Sequence, residues 1–137
     1  MLGVNIIVVF DKTAEKILMC RRRHEPYKGL SNLVGGKIEP GEDGLDAAYR
    51  ELEEETSITK DDITLTHFMD FTYYLDEIRL EVYTGKLNKY VEVSGDENEL
   101  YWSDLDKNFF DYTQYAGEGN IGHILMLIKM REDELLK

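Results

Sequence analysis

The chain is poor in cysteine, in proline, in basic residues and in long apolar runs, and each scarcity removes a class of protein. A single cysteine, Cys20, excludes an internal disulfide framework and a cysteine-based zinc site. It sits in the run Lys16-Ile17-Leu18-Met19-Cys20, which reads as a buried thiol rather than a nucleophile. Both prolines, Pro26 and Pro40, fall in the glycine-rich stretch 22–44, so most of that stretch reads as loop and the rest lacks the strongest breaker of helices and strands. Sixteen basic residues against 28 acidic ones give a net charge of -12. Such a surface favours solubility and repels a nucleic acid backbone, so no nucleic acid partner is expected. The apolar run from Val4 to Phe10 stops at Asp11, lacks a basic flank and is too short to span a bilayer. The expectation is therefore no membrane segment and a reducing, cytoplasmic compartment.

What remains suits a globular chain. The 137 residues are 42% hydrophobic and 11% aromatic, enough for a core, and without repeats or linkers they read as one domain over 1–137. Residues 5–10 and 16–21 are β-rich and form a predicted hairpin across Asp11 to Glu15. A short strand is expected near Leu33-Val34 and a helix over 45–56. Residues 63–75 and 78–87 are β-prone and joined at Asp76-Glu77, which predicts antiparallel neighbours. Leu100 to Trp102 suggests a further strand, residues 104–119 read as irregular, and an amphipathic helix is expected over 121–135. The fold class is α/β, a mixed sheet flanked by helices.

The helix over 45–56 carries too many carboxylates for its own good. Leu45, Ala48, Tyr49 and Leu52 share one face, expected to pack on the sheet. Glu51, Glu54 and Glu55, at i, i+3 and i+4, share a second, with the small Ala47 four residues before Glu51 on that side. Like charges at these spacings destabilise an isolated helix by about 0.2–0.5 kcal/mol per pair, and the helix dipole disfavours acids near the C-terminal end. A solvated face usually interleaves several bases; here only Arg50 does so. Clustered oxygen ligands without thiolate or imidazole suit magnesium or manganese rather than zinc. The adjacent glycines Gly35-Gly36 just upstream form either a plain tight turn or a close backbone approach that offers a carbonyl to the same ion.

Taken together, Gly36 to Ile58 resembles the box of the Nudix hydrolase family, MutT-like members included. The family pattern is Gly, five residues, Glu, seven residues, Arg-Glu, an aliphatic residue, any residue, Glu-Glu, any residue, Gly and an aliphatic residue. It falls here on Gly36, Glu42, Arg50, Glu51, Leu52, Glu54, Glu55 and Ile58, with Ser57 where glycine is expected. That glycine ends the helix in the family, so serine there is expected to cost about 1 kcal/mol or to end the helix differently. The resemblance implies the Nudix α/β/α sandwich and a pyrophosphohydrolase using Mg2+ or Mn2+. It implies that Glu51, Glu54 and Glu55 bind metal, with the Gly35 carbonyl as a further ligand, and that Arg50 orients the carboxylates while Glu42 fixes the loop or Arg50. The base that takes a proton from water is Glu54 or an acid from a later loop; Glu97 and Glu99 precede Trp102 in a loop where relatives often place an extra acidic ligand. Family members are often homodimers, so a homodimer is among the expectations.

Substrate recognition is less sharply written. Arg21, Arg22 and Arg23 form a local basic cluster, and Arg21 and Arg22 are candidates for holding substrate phosphate, as an arginine here does in relatives. Phe71, Tyr73 and Tyr74 suit base stacking, although alternating aromatics in a strand more often fill a core. Asn120 is a candidate helix cap, and in the 8-oxo-dGTP diphosphatase branch an Asn in a similar region reads the purine. No proline follows Pro40, unlike many ADP-ribose hydrolases of the family, so a nucleoside triphosphate, oxidised or not, leads as substrate. The competing readings are a hydrolase of ADP-ribose, nucleotide sugars or dinucleoside polyphosphates, a nucleotide sensor of the same fold, which typically loses box carboxylates, and an interaction protein with a merely solvated helix. His24, His67 and His123 show no ligand spacing and read as structural or surface residues.

Overall fold

The two apolar runs near the start lack polar alternation because the strands they form are covered on both faces. The computed structural model describes residues 1–136. The first strand, β1 (Leu2–Phe10), and the second, β2 (Lys16–Arg21), bury Ile7, Val9, Leu18 and Cys20 on one side and Val8, Phe10, Ile17 and Met19 on the other. The chain continues with β3 (Ser31–Asn32), α1 (Gly44–Thr56), β4 (Thr66–Tyr73), β5 (Ile78–Lys86), β6 (Glu99–Asp104), α2 (Asn120–Lys129) and α3 (Glu132–Leu135). Strand order in the sheet is β3-β2-β1-β5-β4, with β6 also paired to β2. β1 and β5 run parallel and the other strand pairs run antiparallel, so the sheet is mixed.

Helix α1 covers the first face and α2 the second, giving the three-layer α/β/α arrangement. Ala48 and Leu52 of α1 pack on Ile7, Val9, Leu18 and Tyr83; Ile121, Ile124 and Ile128 of α2 pack on Val8, Phe10, Ile17 and Val82. Each such fully buried Leu or Ile contributes about 1.5–3 kcal/mol. Among the described residues no helix is long and apolar enough to cross a membrane.

Several expected boundaries move, each for a local reason. The short third strand is Ser31–Asn32 rather than Leu33-Val34, because β2 ends opposite Ser31 and Asn32; Val34 instead bridges to Ile7 on β1. β4 starts at Thr66, with Ile63 only bridging to Leu87, and Tyr74 to Glu77 make the turn. The last helix breaks at Met130-Arg131 into α2 and α3. On α1 the packed face is rotated from the expected one: Ala47, Ala48, Leu52 and Thr56 are buried, whereas Leu45 is 39% exposed. Ala47 is therefore itself buried and does not border open space beside Glu51. Asn120 is not a cap; Gly119, at φ +92°, precedes α2 and no side chain caps it.

The start of α1 is capped by Asp43, whose carboxylate accepts from the N–H groups of Leu45 and Asp46. Its end is capped by Ser57 in the left-handed region at φ +70°, so serine keeps the conformation in which glycine is at ease. The Ser57 hydroxyl is tied to Ser94 across the neighbouring loop. Ser57→Ala and Ser57→Gly both lose that tie, but only glycine relieves the left-handed strain. Ser57→Gly is therefore expected to be more stable than Ser57→Ala by about 1 kcal/mol in urea unfolding.

Candidate active site

Between residues 34 and 38 the chain lies along β1 as an antiparallel partner. Val34 accepts from Ile7 N–H at 2.8 Å, Gly36 accepts from Asn5 N–H at 2.8 Å, and Ile38 N–H donates to Gly3 at 2.9 Å. The two glycines are what let it pass there. A side chain on Gly36 would occupy the space of the Glu51 carboxylate, and one on Gly35 would collide with the Asn5 main-chain carbonyl. The loop is thus a close backbone approach between β1 and the carboxylate helix, rather than a plain turn.

Arg50 organises the acids facing this loop. Its Nε and one terminal nitrogen bind both oxygens of Glu42, at 2.8 and 2.9 Å, in a bidentate pair. That same terminal nitrogen also donates to the Lys37 carbonyl at 3.0 Å. The other reaches Glu51 at 3.0 Å and Glu54 at 3.3 Å. Hydrogen bonding to Arg50, then to the Glu39 N–H, holds the Glu42 carboxyl down at about 2. The Glu42 pairing raises Arg50 still further above its usual range.

Glu51, Glu54 and Glu55 have different surroundings. Glu54 is open to solvent, with 59% of its side chain exposed, while only 14% of the Glu51 side chain is. Burial raises the Glu51 carboxyl, against the opposing effect of Arg50. Glu55 is pushed up to about 7, first by burial and then by Glu51 and Glu97, although the Gly35 N–H at 3.5 Å opposes the shift. Acids held together against their own solvation fit a hard divalent cation, which would compensate both burial and mutual repulsion. The donor set is all oxygen, and the loop bearing Gly35 lies against it, the Gly35 N–H standing 3.5 Å from Glu55.

Elsewhere, His67, Asp70 and Glu81 place ligand atoms within 4.8 Å of one another. Their juxtaposition was not visible in the sequence, because residues three apart on a regular strand face opposite ways. A bulge between His67 and Met69 brings His67 opposite Tyr83 and Asp70 opposite Glu81, on the same face. This group already holds its own counter-charge: Arg79 binds Asp70 at 2.9 Å, His67 binds Asp70 at 2.7 Å, and the Tyr83 hydroxyl donates to Glu81 at 2.6 Å. A cation there would have to displace Arg79, so the α1 carboxylates remain the better candidate.

The sequence-predicted substrate residues separate. Arg22 lines a cleft of about 270 Å³ with Asn5, Gly35, Gly36 and Glu55, and its Nε donates to the Pro26 carbonyl at 2.7 Å. Arg21, at the end of β2, is directed elsewhere, toward Glu99 at 3.6 Å and over the Tyr101 ring. Glu99 is thereby occupied, whereas Glu97 acts electrostatically on both Glu51 and Glu55. Asn120 lies in an adjoining hollow of about 290 Å³ with Tyr27, Tyr73 and Glu118; the two hollows share Val4, Ile6, Asn32 and Leu80. The Asn120 Oδ1 is buried without a hydrogen-bond partner among the described residues. A larger concavity of about 660 Å³ flanks the outer side of α1 and reaches Arg50 and Glu54.

A family model described as NUDIX domain matches residues 1–123. An ADP-ribose pyrophosphatase of Methanocaldococcus jannaschii is 44% identical over 43 residues, 31% of this chain and 25% of that protein. The match therefore spans a quarter of the curated relative's length. A MutT structure from work on Aliivibrio salmonicida and Vibrio cholerae superposes with a TM-score of 0.73 at 21% identity, covering 94% of this chain and 98% of that one. A MutT/nudix family protein from Enterococcus faecalis superposes with a TM-score of 0.65 at 20% identity, covering 77% of this chain and 44% of that one. At these identities the structural likeness shows the fold.

The raised Glu55 carboxyl has a measurable consequence. Its folded-state value of about 7 lies above the ordinary value of 4.5, so its contribution favours the fold below 4.5 and is lost as pH rises through about 7. In chelator, Glu55→Gln is expected to melt above the wild type at pH 8 and to match it more closely at pH 5. Thermal melts at the two pH values check this; a Glu55→Gln protein less stable than wild type at pH 8 would contradict it.

Proposed function

The chain belongs to the Nudix family, and on that premise we propose that it is a metal-dependent hydrolase of a diphosphate linkage in a small nucleotide. The observation that carries this reading is the backbone approach of Gly35-Gly36 to Glu51 and Glu55, with Arg50 binding the acids on either side. Glu51, Glu54, Glu55 and the Gly35 carbonyl are the proposed ligands of Mg2+ or Mn2+. The bound ion supplies charge neutralisation of the diphosphate and a lowered pKa of water. Arg50 and Glu42 hold the carboxylates and the loop in one arrangement. Glu54, the most exposed of the three, is the proposed acceptor of the proton from the attacking water, with Glu97 as the alternative.

Arg22, rather than Arg21, faces the cleft beside Glu55 and is the proposed anchor for a phosphate oxygen. The adjoining hollow with Asn120, Tyr27 and Tyr73 is the proposed place for the base. Two aromatic rings and an unpartnered amide oxygen suit a planar group that carries an N–H donor. On this geometry a nucleoside triphosphate, oxidised or not, is the leading substrate. ADP-ribose is the second reading, favoured by the name of the 44% identical relative.

Phosphate-coupled hydrolysis over nucleoside triphosphates, 8-oxo-dGTP, ADP-ribose, nucleotide sugars and dinucleoside polyphosphates tests both. Turnover is expected only with Mg2+ or Mn2+, highest on a triphosphate, and about 10²–10⁴-fold slower in Glu54→Gln. Preference for ADP-ribose would select the second reading. Folded protein that binds nucleotide tightly but turns over none of the panel would instead make the chain a sensor. Asn120→Ala is expected to raise KM for the preferred nucleotide and leave kcat within about threefold, as for a contact made equally in ground and transition state.

A further inference from the structure

Asn5 is a polar residue at the start of an otherwise apolar buried strand, only 3% exposed. The next residues on its face, Ile7 and Val9, belong to the core under α1. Asn5 grips Gly36 at both of its polar backbone atoms: the Asn5 N–H donates to the Gly36 carbonyl at 2.8 Å, and the Asn5 Oδ1 accepts from the Gly36 N–H at 2.9 Å. In a regular antiparallel pair the second bond would go to the main-chain carbonyl. Here the side chain takes it, and the Asn5 carbonyl is instead packed against the Cα of Gly35. Neither bond of this pair uses the Gly35 carbonyl.

We infer that Asn5 is a positioning residue of the metal centre, locking Gly36 at two points and so fixing the Gly35 carbonyl against the carboxylate helix. The inference rests on the reading of Glu51, Glu54 and Glu55 as metal ligands. The Gly36 N–H dictates which way the Asn5 amide faces, since the reverse would set donor against donor. Nδ2 is thereby left buried with no partner among the described residues, in the residue that floors the cleft with Gly35, Gly36, Glu55 and Arg22. An unmade buried donor destabilises the fold. An aliphatic residue, like those that follow on this face, would avoid that loss. What it would not provide is the second bond to Gly36, and a polar residue retained against the local packing rule is a mark of a functional site.

Calorimetric titration of the full chain with Mn2+, without nucleotide, tests the inference, with unfolding midpoints in chelator recorded in parallel. Asn5→Leu removes the grip and is expected to weaken Mn2+ binding about tenfold or more, as for partners that hold metal ligands in place. Asn5→Asp keeps an oxygen facing the Gly36 N–H and is expected to bind at least as tightly as wild type. A folded Asn5→Leu protein with wild-type affinity overturns the inference, as does an Asn5→Asp protein as weak as Asn5→Leu. If Asn5→Leu does not fold, Asn5→Ala takes its place with the same two outcomes. Wild type that binds no Mn2+, or Glu55→Gln that binds as well as wild type, overturns the metal reading itself. Strong wild-type binding lost in Glu55→Gln but kept in Asn5→Leu overturns the role of Asn5 alone.

Discussion

The guanidinium of Arg50 is the constraint on which the site depends. One cation gathers Glu42 from the loop, Glu51 and Glu54 from its own helix, and the Lys37 carbonyl from the strand-like segment between them. Its planar fork can do this because five N–H groups leave it in fixed directions; a lysine would offer one point charge. Without it the half-buried acids would repel one another with nothing to decide their arrangement. Removing one partner from such a network is far more damaging than its net contribution suggests, since the remaining charges are left uncompensated.

The same region shows a conflict between stability and organisation. Glu55 is lifted toward neutrality by burial, Asn5 carries a buried donor without a partner, and Ser57 holds a backbone conformation that glycine would adopt without strain. All three flank the glycine loop or the end of α1, whereas the cluster under α2 is apolar and the buried Thr84 hydroxyl on β5 is satisfied by the Val8 carbonyl. The locally unfavourable choices are therefore concentrated where backbone, carboxylates and cleft meet.

Much of this was legible in the sequence, because it depends on period and spacing. The β-rich segments on either side of one helix, with a last helix after them, point to a mixed sheet covered by helices, and the carboxylates at i, i+3 and i+4 point to a shared helix face. What could not be read depends on contacts between distant segments. That Arg22 faces the cleft while Arg21 meets Glu99 follows from where β6 lies along β2. His67 and Asp70 come together only through a bulge, which shifts strand parity without a sequence mark of its own. Leu45 is exposed and Ala47 buried at the start of α1, where a side chain on Gly44 would collide with Glu81 and Tyr83 of β5, a contact no helical period announces. Asn5 carries no mark of its own in the sequence, being one polar residue at the head of an apolar strand.

The parallel pairing of β1 with β5 ties the site to the completion of folding. The strands on either side are joined to their sequence neighbours by hairpins, β1 with β2 and β4 with β5, whose short loops close quickly. β1 meets β5 only across a separation of 76 residues, with Asn5 set beside Glu81 and Val8 bonded to Thr84. Long-range parallel pairings of this kind carry their loop-closure entropy before any contact repays it, and so tend to form late. The segment bearing Gly35 and the helix bearing Glu51 both lie within the loop that this pairing closes. The proposed metal-holding arrangement thus waits on one of the long-range steps in the chain's assembly, of which the pairing of β2 with β6 is another. A partly folded molecule, with both hairpins and a helical α1 already made, would bring the acids onto one helix face but would not yet have a rigid carbonyl to set against them.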